Sequence, residues 1–320
     1  MQVDWNQTGH LLGLEGCSRN SLVSLLDDAA ELLPIAGNRS SGTGEFSGRT
    51  VATLFFENST RTKLSFTMAA RRIGAEVLDL NASTSSTAKG ESLLDTAMNI
   101  QAMGVDAMVM RCAASGAPRL ISEHVSIPLI NAGDGRHEHP TQGLLDALAL
   151  REHFQKKTLD GLTIAIVGDI ANSRVARSNA HGLTTLGANV VFVGPPSLVP
   201  DRMESLVVSG RDGSGTLRVE HDLDAVLHEI DAIMMLRVQF ERHDGEVIDE
   251  HYTRQFGLDL NRAAQLREGV PVLHPGPINR GIEIDPEVAD GPRSLILDQV
   301  TCGVAVRMAA LQGLLRGSSS

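Results

Sequence analysis

Residues 51–66 read VATLFFENSTRTKLSF. The run VATLFF has no alternating polar face, which fits a strand buried on both sides in a parallel sheet rather than one half-exposed to water. ENSTRT then ends the run, with hydroxyls at Ser59, Thr60 and Thr62 around Arg61, and a helical pattern continues to Ile73. The first amides of such a helix have no intrahelical acceptor. Ser59 or Thr60 can cap them, and those left over can hold an anion. Arg61 adds a fixed cationic fork or helps anchor the turn. An ordinary capped helix carrying an exposed arginine is the plainer alternative, and the lack of GxxxxGK[ST] removes the P-loop reading.

The alternation continues outward. EVLDL at 76–80 gives a second strand, a helix over 91–103 leads into DAMVMR at 106–111, and IPLINAGD at 127–134 forms a fourth strand that breaks into a turn. TQGLLDALALREHF then sets Leu144, Leu148 and Phe154 on one helical stripe. Lys156–Gly161 reads as a linker, and TIAIVGD at 163–169 opens a second unit. Its helix runs from about Ser173 to Leu186; its further strands fall at 189–194, 217–221, 232–237 and 270–274. No sequence repeat relates the two halves. The fold class expected is α/β, with two domains, each a parallel β-sheet flanked by helices. GVAVRMAALQGLL at 303–315 is an apolar helix too long to dangle, and its pattern does not say which domain it covers.

Composition narrows the function. At 320 residues the chain exceeds the roughly 250–300 at which single cores stop growing, in keeping with two domains. It carries 28 Lys plus Arg against 39 Asp plus Glu, a formal charge of −11, which argues against a nucleic-acid surface as its main function and leaves room for a local basic site. One Trp and one Tyr give no row of stacking aromatics. No run of about 18 apolar residues is present, and Met1–Leu12 lacks the basic and apolar regions of a signal peptide, so a cytoplasmic protein without membrane contact is expected. Cys17, Cys112 and Cys302 are too few and too scattered for a disulfide framework or a thiolate cage.

Polar residues recur where strands end. NASTSSTAKGES at 81–92 offers Ser85 and a mobile charge at Lys89, or is a solvated connector. Arg111 closes the third strand, at the end where ligands meet open parallel sheets, or is a surface arginine there. In HEHPTQ, His139 and Gln142 stand at a helix entrance and can donate to a carbonyl oxygen. His137, Glu138 and His139 invite a metal, but no second cluster has ligand spacing, so no metal is expected; a structural turn histidine is the alternative. GDIANSR brings Arg174 to a helix start without the glycines of a dinucleotide fingerprint, so no nicotinamide cofactor is expected either. In LRVQ, Arg237 and Gln239 point to one side of an extended chain. HPGP at 274–277 confines the backbone with Pro275 and lets Gly276 approach closely, or is simply a tight turn.

Taken together, STRT at 59–62, the Ser85–Lys89 loop, HPTQ at 139–142, GD…SR ending at Arg174, LRVQ at 236–239 and HPGP at 274–277 resemble the aspartate carbamoyltransferase family. The resemblance is weakest over the first 45 residues and 196–220. Ornithine carbamoyltransferases share the STRT- and HPTQ-like elements. Their other half has SMG and HCLP segments where this chain has LRVQ and HPGP, and an arginine-rich site suits two carboxylates better than a cationic side chain. One departure is Gly276, where the family often has Leu.

The resemblance implies transfer of the carbamoyl group from carbamoyl phosphate to L-aspartate, with no cofactor. It assigns 1–150, completed by a helix at 301–316, to carbamoyl phosphate and 158–292 to aspartate, with helices joining the domains. Ser59, Thr60, Arg61, Thr62 and Arg111 would bind the phosphate, and Thr62 and His139 would polarise the carbonyl. Gln142 and the backbone at Pro275 and Gly276 would orient the nitrogen-bearing groups. Arg174, Arg237 and Gln239 would hold aspartate, with Lys89 reaching both ligands. It also implies a catalytic homotrimer in which Ser85 and Lys89 come from the neighbouring subunit. A regulatory chain or a dihydroorotase supplied by another gene is left open.

Overall fold

The computed structural model describes residues 8–38, 42–81, 91–207, 213–238 and 250–317. The chain forms two compact units, Met1–Leu148 with Thr301–Ser320, and Ala149–Val300.

In the first unit the strands are β1 (His10–Leu11), β2 (Thr50–Phe55), β3 (Glu76–Asn81), β4 (Ala107–Cys112) and β5 (Leu129–Asp134). They interleave with helices α1 (Arg19–Gly37), α2 (Thr60–Ile73), α3 (Leu93–Ala102), α4 (Ala117–Ser122) and α5 (Pro140–Phe154). All pairings are parallel, in the order β1-β5-β4-β2-β3. Val51, Ala52, Leu54 and Met108–Met110 are fully buried, the price of a strand covered on both faces and the reason its apolar run is unbroken. From β2 the chain steps outward to β3, then returns past β2 to β4. That reversal opens a crevice at the carboxyl ends of β2 and β4.

In the second unit β6 (Thr163–Val167), β7 (Asn189–Val193), β8 (Leu217–Glu220), β9 (Ala232–Met235) and β10 (Val272–Leu273) form another all-parallel sheet, ordered β10-β9-β6-β7-β8. Its helices are α6 (Arg174–Thr185), α7 (Leu223–Val226), α8 (Glu250–Phe256), α9 (Leu260–Gln265) and α10 (Pro286–Ala289). The reversal here lies between β6 and β9. Gly168, just past β6, has φ +135°, and a Cβ on it would stand 3.0 Å from the Leu236 side chain; only glycine lets the two strand ends close up.

The last helix, α11 (Ile296–Gly317), begins seven residues before the apolar run that announces it. Its first turns expose Leu297 and Val300, so no amphipathic stripe marks them. Over its second half it joins the first unit, where Arg307 Nη1 donates to Ser65 Oγ at 2.8 Å and Arg316 pairs with Glu45.

Candidate active site

Two of the predicted anion-binding elements meet at the crevice of the first sheet. Phe55 on β2 is in register with Arg111 on β4, and Phe56 N–H donates to the Arg111 carbonyl at 2.8 Å. This pairing brings Arg111 beside the turn that starts α2. Ser59 is the N-cap residue of α2 by position, extended at φ −159°, but its side chain makes no capping hydrogen bond, so the hydroxyl is not spent on the helix. Thr60, Arg61 and Thr62 form the first turn, with Arg61 exposed and Thr62 half-buried.

Arg111 is held from two sides. Its Nη1 donates to Ala132 O at 3.2 Å, and its Nη2 pairs with Glu57 Oε1 at 3.1 Å. Opposite Arg111 the β4–β5 register shifts between Met110 and Cys112, a bulge that turns the β5 backbone toward the guanidinium. Nothing in the sequence pattern singles out Glu57, because its partner lies on another strand.

His139 is buried at the entrance to α5, and its carbonyl accepts from Gln142 N–H at 2.9 Å and Gly143 N–H at 3.2 Å, closing the first helical turn. The preceding turn is built on Asp134, whose carboxylate accepts from Gly116 N–H at 2.6 Å, Glu138 N–H at 3.1 Å and Asn131 Nδ2 at 2.8 Å, and meets His137 Nδ1 at 3.0 Å. Burial pushes the Asp134 carboxyl up, but these hydrogen bonds outweigh it and hold it below the usual range. The bond to Asp134 raises His137 from its ordinary value. Glu138 points elsewhere: it accepts from Leu14 N–H at 2.8 Å and Glu15 N–H at 3.1 Å, fastening the start of the chain. His137 and Glu138 thus serve backbone architecture.

Gln142 Nε2 donates to Asp146 Oδ1 at 2.9 Å one turn along α5. Behind α2, the Arg307 guanidinium lies 5.1 Å from the centroid of the Phe66 ring. Burial pushes Arg307 down to about 10, against the pull of Asp146, with Arg111 adding repulsion; it remains a cation near neutrality.

In the second unit, Arg174 opens α6, largely buried, after Ser173 caps the helix by accepting from Ala176 N–H at 3.1 Å. Buried Asp169 accepts from Asn172 Nδ2 at 2.9 Å and fixes the turn before it. Leu236 N–H donates to Val167 O at 2.8 Å, which carries Arg237 to the β6–β9 reversal, half-buried, while Val238 faces the core.

The HPGP segment has an internal brace. Gly276 N–H donates to His274 Nδ1 at 2.8 Å, so the ring carries its hydrogen on Nε2 and directs it at Glu283 Oε1, 3.1 Å away. Both side chains are fully buried, and Glu283 also accepts from Asn279 N–H at 2.6 Å. Asn279 Nδ2 reaches Val238 O at 3.2 Å, joining this segment to the one that bears Arg237. Gly276 sits at φ +63°, a left-handed conformation that a side chain resists. Pro275 and Gly276 are half-buried. Ser85, Lys89 and Gln239 lie outside the described residues.

Comparison with known proteins divides the chain between residues 152 and 160 and assigns the stretch from 301 to 314 to the second part. Residues 9–152 match the family model for the aspartate/ornithine carbamoyltransferase carbamoyl-P binding domain, and 160–314 match the Asp/Orn binding domain of that family. The chain is 52% identical over 305 residues to the aspartate carbamoyltransferase catalytic subunit of Myxococcus xanthus, covering 95% of this chain and 98% of that one. It is 51% identical over 304 residues to the protein of that name from Sorangium cellulosum, covering 94% and 91%. Among solved structures, aspartate transcarbamoylase from Trypanosoma cruzi in complex with carbamoyl aspartate and phosphate superposes with a TM-score of 0.84 at 29% identity, covering 98% of this chain and 97% of that one. The catalytic subunit of the M. jannaschii enzyme gives 0.83 at 32%, covering 96% and 98%. With family models matching residues 9–152 and 160–314, and half the residues shared with relatives over nearly their whole length, the chain belongs to the aspartate/ornithine carbamoyltransferase family.

Proposed function

We propose that this chain condenses carbamoyl phosphate with L-aspartate, giving N-carbamoyl-L-aspartate and phosphate in de novo pyrimidine synthesis. The observation that supports the reading is the register of Phe55 with Arg111, which brings Arg111 beside the first turn of α2, where a guanidinium and a helix N-terminus would together bind a phosphate. Its relatives at about half identity bear the name of that activity over nearly their whole length.

Carbamoyl phosphate carries its own leaving group, so no covalent intermediate is needed. The work is to hold a neutral amine near the carbonyl and to stabilise the charge that develops on oxygen and phosphate. Ser59, Thr60, Arg61 and Thr62 would bind the phosphate with Arg111, which also reaches the carbonyl oxygen. His139 and Thr62 would polarise that oxygen, and Gln142 with the backbone of Pro275 and Gly276 would orient the carbamoyl nitrogen. The departing phosphate accepts the proton lost by the amine. Arg174 and Arg237 would clamp the carboxylates of aspartate with Gln239, and Lys89 would touch both ligands. The first unit is thereby the carbamoyl phosphate domain and the second the aspartate domain.

The working assembly in this reading is a homotrimer, in which Ser85 and Lys89 complete the site of the next subunit, and its place is the cytoplasm. No helix among the described residues is long and apolar enough to cross a membrane. A regulatory chain or a dihydroorotase is a candidate further partner, tested by copurification from the source cells and native mass. The decisive assay is phosphate release from carbamoyl phosphate with L-aspartate and, separately, with L-ornithine. Strong release with aspartate alone is expected; comparable turnover of ornithine would reverse the assignment.

A further inference from the structure

Asp146 follows Gln142 by four residues on α5, so the two side chains share a helix face. Asp146 is completely buried and Gln142 nearly so. Their contact has a fixed polarity. A carboxylate can only accept, so it takes the amide nitrogen of Gln142, at 2.9 Å, and turns Oε1 to the opposite end of the amide. Oε1 has no hydrogen bond to any described residue, which leaves its lone pairs for a ligand. The buried Arg307 guanidinium lies near enough to Asp146 to be pulled by its charge.

We infer that Asp146 is a positioning residue: by holding the Gln142 amide nitrogen it presents the Gln142 carbonyl oxygen to the carbamoyl NH2, so that the site selects an amide over an acyl phosphate of the same shape. The inference rests on the carbamoyl phosphate reading and deepens it, since it names the polarity by which that ligand is distinguished. Asparagine at 146 can offer its own NH2 to Gln142 and allow the amide to turn over, which would set two donors against each other at the carbamoyl group.

Acetyl phosphate, with a methyl group in place of NH2, is the probe. In Asp146→Asn the KM for carbamoyl phosphate should rise about three- to tenfold, the scale of one net hydrogen bond, while the Ki of acetyl phosphate as a competitor moves by less than about twofold. Equal weakening of both ligands would assign Asp146 a purely structural part and overturn the inference, as would no change in either. In a Gln142→Ala background the same substitution should cost nothing further; an additive loss would also overturn it. If Asp146→Asn alone does not accumulate folded, Asp146→Asn with Arg307→Met removes both buried charges together and carries the same expectations. Wild-type protein that fails to turn over carbamoyl phosphate with L-aspartate would defeat the functional reading and this inference together. An active wild type whose variant keeps its preference would defeat the inference alone.

Discussion

Glu57 Oε1 lies 3.1 Å from Arg111 Nη2, joining the residue two past the end of β2 to the next-to-last residue of β4. The carboxylate fixes the second arm of the guanidinium, at the cost of placing negative charge near the proposed anion site. Orientation should outweigh repulsion here, because Arg111 is also tied to Ala132 O and has little freedom to exploit a more positive field. Glu57→Ala is expected to lower kcat/KM for carbamoyl phosphate about tenfold, while Glu57→Gln, which still accepts, stays within about threefold of wild type. Steady-state kinetics on both variants checks this; an Ala variant as good as the Gln one would show the brace to be idle.

His139 is placed by its backbone, whose carbonyl closes the first turn of α5, so its ring can be removed without unwinding the helix. His139→Ala should lose about 2–4 kcal/mol of transition-state stabilisation, the worth of one oxyanion donor. The loss should fall on kcat with aspartate saturation little changed. A wild-type kcat would reject the role.

Arg237 stands at the β6–β9 reversal of the second unit. Arg237→Ala should raise the aspartate concentration needed for half-saturation by about tenfold to a hundredfold, as expected for a lost charge-assisted bond. Carbamoyl phosphate binding, followed by calorimetry, should persist. Unchanged aspartate saturation would remove this residue from the site.

The trimer proposal predicts complementation. Lys89→Ala and His139→Ala subunits, dissociated, mixed in equal amounts and reassembled, should recover about one quarter of wild-type sites, because each hybrid ring has one junction with both residues intact. Native mass must show the hybrids. Activity no higher than that of the separately reassembled parents would mean each subunit works alone.

The His137–Asp134 contact should make stability depend on pH. His137 is raised by its bond to Asp134 and by the charges of Asp134, Glu138 and Glu15, with burial opposing. Its contribution is therefore complete below its ordinary value of 6.5 and is lost as pH rises through the raised one. Asp134, held low, contributes above 3.8 and loses that share as pH falls through its lowered value. Melting temperatures taken from about pH 5.5 to about pH 9 should fall more in wild type than in His137→Ala. Parallel curves would dissociate the pair from stability.

What the sequence makes legible is what is local. VATLFF and TIAIV announce doubly covered strands because every residue of them is buried or nearly so, and STRT, HPTQ and HPGP follow the ends of β2, β5 and β10. β1 escapes notice because two residues carry no period. α1 runs through Pro34, a residue that reads as a stop, and is held by Leu22, Leu25, Leu26 and Ala29 in the core. Glu57, Asp146 and Glu283 look like surface carboxylates until their partners arrive from other turns and strands. Nothing in the sequence around Asp146 marks Arg307 as its neighbour.

Ser65 and Arg307 are 242 positions apart, yet the guanidinium caps Ser65 and lies by the face of Phe66. On a ribosome making about 5 to 20 residues per second, the second half of α11 emerges roughly ten to thirty seconds after Leu148. Until then Phe66 on α2 and Leu145 on α5 lack the neighbours that α11 brings them. The unit made first is therefore the last to be finished, and the second unit can fold while it waits. A nascent chain stalled anywhere before α11 lacks the contacts that Arg307 makes with Ser65 and Phe66, and presents an unfinished apolar surface to holding chaperones and to proteases.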